Sequence, residues 1–352
     1  MQIPFIPQLT APEAPSGALG RLAELGAQIA AIRGTPSPRI ERPVMVIMAA
    51  DHGVARHGVS AFPQAVTAQM VRNVLRGGAA SSVLARHANA ELVVVDVGVD
   101  ADLRDLRGLR QHKIAPGTRD MTREPAMSRE QAWCAVEVGM DIASELIAAG
   151  ADLIAPGEKG IGNTTAASAV IAGLCGLPVA SVTGRGTGID EAGWERKVAL
   201  IEAALALHRP DPADGLGVLA SVGGFDIGGM AGLMLGAAAQ RVPVLVDGVI
   251  AGAAALVALN LAPAIQPYLI ATHRSVERGH AAVFERIGSP PLFDMQMRLG
   301  EASGAALAIP LCQVACTLVG HGSNEFDTSP LDGPHPQPLS RGLRPQARGV
   351  LS

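Results

Sequence analysis

The sequence has few aromatic residues and no excess of positive charge. Each shortage excludes some kinds of core or some classes of binding protein. Aromatic residues make up 3% of the 352 residues and hydrophobic residues 48%, so we expect a core built mainly from Ala, Val, Leu and Ile. The formal net charge is -4, which argues against a nucleic-acid binder. Any phosphate recognition must therefore come mainly from backbone N–H groups and helix ends.

Cysteines and long apolar runs are also scarce. Cys134, Cys175, Cys312 and Cys316 are too scattered for a disulfide framework. Cys312 and Cys316 lack His or carboxylate neighbours at metal-ligand spacing, so we expect no metal site there. We expect no cofactor. The first residues show no export signal, and no uninterrupted apolar run reaches the roughly 20 residues of a membrane span. These features predict a cytoplasmic protein that does not bind membranes.

Familiar motifs of several enzyme classes are missing. The chain contains no G-x-x-x-x-G-K-S/T loop, no G-x-S-x-G elbow and no H-E-x-x-H sequence, which argues against a P-loop ATPase and against the hydrolases that carry the other two motifs. No paired Asp-Asp motif follows an apolar strand. Diphosphate-sugar binding through magnesium is therefore not indicated.

The most informative stretch is 156–168, with the sequence PGEKGIGNTTAAS. A short apolar run precedes it and an Ala-rich helical pattern follows it, so it is predicted to form a strand-to-helix turn. Its glycines permit close backbone approach, and the Asn-Thr-Thr at its helix start suits an anion. Glu158 is unusual in a phosphate site, which indicates a ligand with a phosphate at one end and proton or cation chemistry at the other. The alternative is an ordinary turn and helix cap.

Short apolar runs alternate with segments of helical pattern along most of the chain. Strands are predicted at 44–49, 92–97, 153–155, 179–182, 242–246 and 268–271, and helices at 18–33, 64–87, 128–149, 164–174, 191–208, 227–240 and 250–261. Such alternation predicts an α/β fold with a mostly parallel, Rossmann-like sheet covered by helices on both faces.

A polar or glycine-rich segment follows every predicted strand. In open parallel sheets, ligands bind outside the carboxyl ends of the strands, so these segments are expected to converge on one crevice. The alternative is that they are ordinary polar turns after buried strands.

A second acidic candidate, Glu301, lies in the sequence RLGEASGAA at 298–306. A partly desolvated carboxylate between small residues suits a general base, although a helix-capping role is equally open. Asp51, Asp96 and Asp247 follow strands and suit ribose hydroxyls or an oxocarbenium-like centre, or else cap turns. His52 either lines the site or is an ordinary structural histidine. The Gly-rich turn at 221–230 is either a packing element or a pocket wall.

These motifs together resemble one family, nicotinate-nucleotide–dimethylbenzimidazole phosphoribosyltransferase. The resemblance covers roughly residues 10–320. The matching stretches occur in the family's order: ADHGV at 50–54, VDVG at 95–98, GEKGIGNTT at 157–165, VGGFD at 222–226, VDG at 246–248, SVERG at 275–279 and RLGEASGA at 298–305.

The resemblance implies roles for individual residues. Glu301 matches the family's general base, which removes the imidazole proton of the incoming benzimidazole. Glu158 matches the supporting acid near the ribose and the departing nicotinate. The positions that match the surroundings of the nucleotide are Gly160, Asn163, Thr164, Gly186, Lys197, Asp247 and Ser275. Lys159 and Phe62 differ from the residues of some family members, and Phe62 bears on which aromatic base the pocket prefers.

The function that the resemblance implies is phosphoribosyl transfer from nicotinate mononucleotide to 5,6-dimethylbenzimidazole or a related base. The products are α-ribazole 5'-phosphate and nicotinate, in cobalamin nucleotide-loop assembly. A homodimer is implied, with a helical lobe from both chain ends: an arm at 1–40, a catalytic domain at 41–290 and a helical segment at 291–325. The stretch 326–352 matches nothing in the family, and its Pro, Gly, Ser and Arg content with almost no apolar spacing predicts a disordered tail. A nucleoside phosphorylase and a non-catalytic nucleotide-binding regulator remain alternatives.

Overall fold

A single parallel sheet organises the chain in the computed structural model, which describes residues 2–9 and 18–320. Its strands are β1 (Pro43–Ala50), β2 (Glu91–Gly98), β3 (Leu109–Gln111), β4 (Leu153–Lys159), β5 (Val244–Val246) and β6 (Leu269–Ala271). Every pair of neighbouring strands is parallel, and the order is β3-β2-β1-β4-β5-β6. The order reverses between β1 and β4, where open α/β sheets bind their ligands.

Twelve α-helices are present in the described residues. They are α1 (Arg21–Arg33), α2 (Val66–Leu75), α3 (Ala80–His87), α4 (Arg129–Ala148), α5 (Asn163–Cys175), α6 (Val179–Val182), α7 (Glu191–His208), α8 (Gly215–Val222), α9 (Phe225–Ala239), α10 (Val249–Leu261), α11 (His280–Ile287) and α12 (Ser303–Gly320). Two 3-10 helices, Gly53–His57 and Pro263–Tyr268, complete the set.

The two faces of the sheet belong to two separate hydrophobic clusters. Val46 and Met48 of β1 pack in a cluster with α4, α5, α9 and α10, whereas Met45 and Ile47 pack in the other, with α1, α3 and α12. Successive side chains of a strand point to opposite faces, so one apolar strand serves both cores. The predicted α/β fold with helices on both faces is confirmed.

Helices from the two ends of the described chain pack against each other. A Cβ at Gly26 of α1 would lie 2.4 Å from Val319 Cγ2 of α12, so the two helices approach closely. By length and composition α12 is apolar enough to cross a membrane, but half of it is buried inside the protein, as in a core helix. The predicted domain boundaries stay a prediction, and the tail at 326–352 lies outside the described residues.

Several predicted elements differ from the structure. The segment 179–182 is wrong as a strand: it is the helical turn α6, closed by the Thr183 hydroxyl, which donates to the Val179 carbonyl at 2.7 Å. β4 pairs with β1 on one side and β5 on the other, so no strand position remains between them. β3, α8 and α11 were not predicted. The predicted helix at 64–87 is two helices, because the chain turns at Gly77, where φ is 78°.

Candidate active site

A cavity of about 400 Å³ opens at the carboxyl ends of β4, β5 and β6, a volume typical of small-molecule sites. Nine of the candidate site residues line it: Phe62, Glu158, Gly160, Asn163, Thr164, Gly186, Asp247, Ser275 and Glu301. The candidates that do not line it are Asp51, His52, Asp96 and Lys197. The segments after β4, β5 and β6 converge on it as expected, and Phe62 and Thr67 from the stretch after β1 line it too, whereas the segments directly after the first two strands, 51–53 and 96–100, do not.

Glu158 lies within β4 itself, beyond the predicted end of that strand, opposite Met48 of β1. Its side chain is buried. One carboxylate oxygen accepts a hydrogen bond from the Asn163 side-chain amide, and the other accepts from the Glu301 backbone N–H at 3.3 Å. A Cβ at Gly300 would lie 2.2 Å from Glu158 Oε1, so only glycine leaves room for the carboxylate there.

Burial raises the pKa of Glu158 to about 7. The neighbouring Lys159 ammonium opposes the rise, while the nearby negative charges of Asp226 and Glu301 add to it. A carboxyl group that titrates near neutrality is typical of catalytic sites, although buried ion-pair networks produce the same effect.

Glu301 lies directly before α12, where the backbone is left-handed at three successive residues. Gly300, Glu301 and Ala302 have φ values of 76°, 59° and 56°. This conformation is unfavourable for residues with a side chain and concentrates at functional sites. Ser81 Oγ donates to Glu301 Oε2 at 2.7 Å, and Lys159 Nζ contacts Oε1. Both oxygens of the buried carboxylate are thereby oriented.

Asp247, just after β5, holds the start of α12 in place. One of its carboxylate oxygens accepts the backbone N–H groups of Gly304 at 2.7 Å and Ala305 at 3.0 Å. Burial raises the pKa of Asp247, against the effect of His273, whose Nδ1 lies 3.7 Å away, and of these backbone hydrogen bonds. Asp247 thus contacts the turn that carries Glu301 as well as the cavity.

The part of the cavity around Thr164 and Gly186 is polar, and the Gly186 backbone N–H donates there to Glu277 Oε1 at 3.0 Å. Lys197 is buried behind the wall, and its Nζ donates to Thr164 Oγ1 at 2.9 Å and to the Gly184 carbonyl at 3.3 Å. Burial lowers the pKa of Lys197 to about 8. Gly186 has a φ of 53°, and a Cβ there would lie 2.7 Å from Thr164 Oγ1. The ammonium therefore lies one side chain away from the cavity.

Some predicted residues have surroundings other than those expected. Asp51 is buried behind the cavity wall, where it accepts the Asp100 backbone N–H at 2.8 Å. Asp96 accepts the backbone N–H groups of Gly98 and Val99, which is the turn-capping role. Asn163 does not cap α5, because the N-cap residue is Gly162, with a left-handed backbone, and no side chain caps the helix there. Substrate contacts of Asp51 stay a prediction.

Sequence reasoning missed four residues that contribute to the site. Ser81 contacts Glu301 from 220 positions away, and no local pattern points to it. Thr67 lines the cavity and accepts the Ile161 backbone N–H at 3.0 Å. His273 and Arg298 also line the cavity, and both lie in segments singled out from the sequence. The position of His273 after β6 was the signal that could have found it.

The described part of the chain contains no group of three or more His, Cys, Asp or Glu side chains placed to hold a metal ion. Three buried carboxylates, those of Glu158, Asp247 and Glu301, line the cavity together with Glu277, and Lys197 lies behind Thr164. This arrangement suits proton removal from one reactant beside a centre that develops positive charge.

Comparison with known proteins gives a consistent result. A family model described as "Phosphoribosyltransferase" matches residues 7–328. The nicotinate-nucleotide–dimethylbenzimidazole phosphoribosyltransferase of Roseiflexus sp. strain RS-1 is 62% identical over 305 residues, which is 87% of this chain and 86% of that protein. The protein of that name from Geobacter sulfurreducens is 52% identical, with 87% of each chain covered.

A crystal structure of the enzyme of that name from Thermus thermophilus is also similar. It superposes with a TM-score of 0.82 at 43% sequence identity and covers 89% of this chain and 92% of that one. The family model spans most of the chain, and the fold, the order of the motifs and these relatives all agree. The chain belongs to the nicotinate-nucleotide–dimethylbenzimidazole phosphoribosyltransferase family, and it is an enzyme of the pentosyltransferase class.

Proposed function

We propose that the protein transfers the phosphoribosyl group of nicotinate mononucleotide to 5,6-dimethylbenzimidazole or a closely related base. The products are α-ribazole 5'-phosphate and nicotinate, used in the assembly of the cobalamin nucleotide loop. The observation that carries the proposal is the meeting of Glu158 and Glu301 at one cavity, where the Glu301 backbone N–H donates to the Glu158 carboxylate.

The reaction requires one bond to break and one to form at the anomeric carbon. The bond from this carbon to nicotinate breaks, and its electron pair returns to the ring nitrogen, which loses its positive charge. The free imidazole nitrogen of the incoming base attacks from the opposite face, so the configuration inverts. The proton on the other imidazole nitrogen passes to Glu301, and one proton is released in each turnover. Nicotinate is a good leaving group, so positioning and a base meet the need.

The two carboxylates have different parts in this proposal. Glu301 is the general base, oriented by Ser81 and Lys159. In its ionised form, Glu158 stabilises the positive charge that develops on the ribose as nicotinate departs. Because the pKa of Glu158 is raised by burial to about 7, activity should increase with pH through neutrality.

The remaining predicted residues are assigned to the two substrates. Phe62, about half exposed at the cavity mouth, contacts the aromatic base. The polar end of the cavity receives the nucleotide. The residues assigned to the nucleotide are Gly160, Asn163, Thr164, Gly186, Asp247 and Ser275, with Lys197 behind Thr164.

The test is product analysis with purified protein. Nicotinate mononucleotide is incubated with and without 5,6-dimethylbenzimidazole, and nicotinate and the ribotide are quantified by chromatography. The proposal requires equal amounts of both products, formed only when the base is present. Nicotinate release that needs inorganic phosphate instead would indicate a phosphorylase. Nucleotide binding with no release under either condition would indicate a non-catalytic binding protein.

We also infer, from family membership, that the protein acts as a homodimer in the cytoplasm, with a catalytic domain at 41–290 and a helical lobe formed by 1–40 and 291–325. Light scattering during size-exclusion chromatography tests the dimer, because a mass of one chain, 36.0 kDa, would contradict it. Localisation of the tagged full chain in cell fractions tests the compartment.

A further inference from the structure

A chain of polar contacts leads away from Glu158 into the interior of the protein. The Asn163 side-chain amide donates to Glu158, and the same nitrogen lies 3.4 Å from Asp226 Oδ2. His52 Nε2 lies 3.2 Å from both carboxylate oxygens of Asp226. The amide therefore joins two carboxylates, and the histidine contacts the second one.

Four different elements supply these groups. His52 follows β1, Glu158 is on β4, Asn163 begins α5, and Asp226 lies in the first turn of α9. Asp226 Oδ1 also contacts the Ile227 backbone N–H at 2.9 Å. This places the carboxylate at the N-terminal end of α9, where backbone N–H groups point towards it.

Gly224 explains why the VGGFD motif is needed at this point. A Cβ at Gly224 would lie 2.2 Å from His52 Cε1 and 2.5 Å from Asp226 Oδ1. Only glycine therefore allows the histidine and the aspartate to meet. The motif is a packing element whose effect is to bring Asp226 and His52 together behind the cavity.

Neither His52 nor Asp226 lines the cavity, and both are almost completely buried, at 1% and 0% exposure. Burying charged groups is costly, and such groups persist only where partners satisfy them. Here the hydrogen-bonded partners connect to Glu158, the carboxyl group proposed to stabilise positive charge at the anomeric carbon.

We infer that His52 and Asp226 are positioning residues: through the Asn163 amide they hold the Glu158 carboxyl group in one orientation and set the charge that surrounds it. The inference rests on the proposed function only in that it assigns Glu158 a catalytic role. The contacts themselves are independent of which substrate binds.

The charged groups around Glu158 predict opposite effects for the two residues. After burial, the groups that act on the pKa of Glu158 are Lys159, which lowers it, and Asp226 and Glu301, which raise it. Burial alone would lower the pKa of His52, but Asp226 outweighs burial and raises it, with smaller contributions from Asp51 and Glu158. In its protonated form, His52 offsets the negative charge of Asp226.

The experiment follows the titration of Glu158 in the free protein, by infrared or carbon-13 spectra of the carboxyl group. Asp226→Asn removes a negative neighbour, so the midpoint should move to lower pH by about one pH unit. His52→Gln leaves Asp226 unbalanced, so the midpoint should move to higher pH. The double variant should titrate close to the wild-type midpoint. His57→Gln is the control, since His57 pairs with Asp120 at 2.8 Å instead.

Kinetics supply the second readout. The pH profile of kcat/KM should move in the same two directions, with kcat reduced more than KM is changed, because neither residue lines the cavity. Shifts in the same direction, or no shift in folded variants, would overturn the inference. If His52→Gln fails to fold, the Asp226→Asn variant alone still tests the inference, because its Glu158 midpoint must move to lower pH. Normal spectral shifts without transferase activity would count against the proposed function and leave this inference standing.

Discussion

Replacing Glu158 by glutamine should change how the stability of the protein depends on pH. The pKa of this buried carboxyl group is raised from 4.5 to about 7 by burial. The folded protein therefore binds the Glu158 proton more tightly than the unfolded chain does, and its stability falls as pH rises from 4.5 to 7. A pKa difference of one corresponds to about 1.4 kcal/mol, so the ionised carboxylate costs the fold about 3 kcal/mol above neutrality.

The quantity to measure is the free energy of unfolding by urea, for the wild type and Glu158→Gln, between about pH 5 and pH 8. The variant should gain about 2–3 kcal/mol on the wild type over this range, whatever constant difference the lost hydrogen bond adds. Glu202→Gln, a change at an exposed position of α7, should leave the pH dependence unaltered. Parallel curves for the wild type and Glu158→Gln would refute the account of Glu158 as a buried group that titrates near neutrality.

Two further predictions concern the turn that carries Glu301. Lys159→Met removes one partner of a largely buried ion pair and should lower the free energy of unfolding by about 1.5–3 kcal/mol, measured by urea denaturation. Arg104→Met, which removes an exposed ion pair with Asp102, is the control and should leave the free energy of unfolding almost unchanged. Gly300→Ala introduces a Cβ at a left-handed position, 2.2 Å from Glu158 Oε1, and should cost at least about 1–2 kcal/mol. Gly248→Ala, which meets no atom within 4 Å, is its control, and equal melting temperatures for the two would contradict the prediction.

Local patterns were sufficient to predict the elements that form the site. The helix predicted at 191–208 coincides with α7 (Glu191–His208), because Asp190 caps it and accepts the Gly193 backbone N–H. The alternation of strands and helices likewise predicted the parallel sheet, and with it the edge where the cavity opens. The segment 179–182 was misassigned because its β-branched residues suit a strand. It cannot join the sheet beside β4, because β4 already pairs with β1 on one side and with β5 on the other.

Contacts between distant parts of the chain could not be predicted from a local pattern. Ser81, in a helix predicted only as part of a longer one, meets Glu301 through the packing of α3 and α12. The left-handed backbone of Glu301 and Ala302 contradicts the ordinary preference of both residue types. Directly after this turn, Asp247 anchors the start of α12 by accepting the Gly304 and Ala305 backbone N–H groups.

The functions of buried polar residues were the hardest to assign. His52 left a choice between a site residue and a structural one, and the structure places it behind the cavity wall in contact with Asp226. The Gly-rich turn at 221–230 left a choice between packing and pocket wall. The close approach at Gly224 shows that the turn is a packing element. Asp226 in this turn is connected to Glu158 through the Asn163 amide.

The most direct test of the central claim is the effect of Glu301→Ala on turnover and on nucleotide binding, measured separately. Nicotinate mononucleotide affinity is determined by calorimetry, and the rate of ribotide formation at saturating substrates by chromatography. The account predicts an affinity close to that of the wild type and a rate lower by about 10²–10⁴-fold, the usual contribution of a general base. An equal loss of affinity and rate, or an unchanged rate, would contradict the assignment of Glu301 as the base.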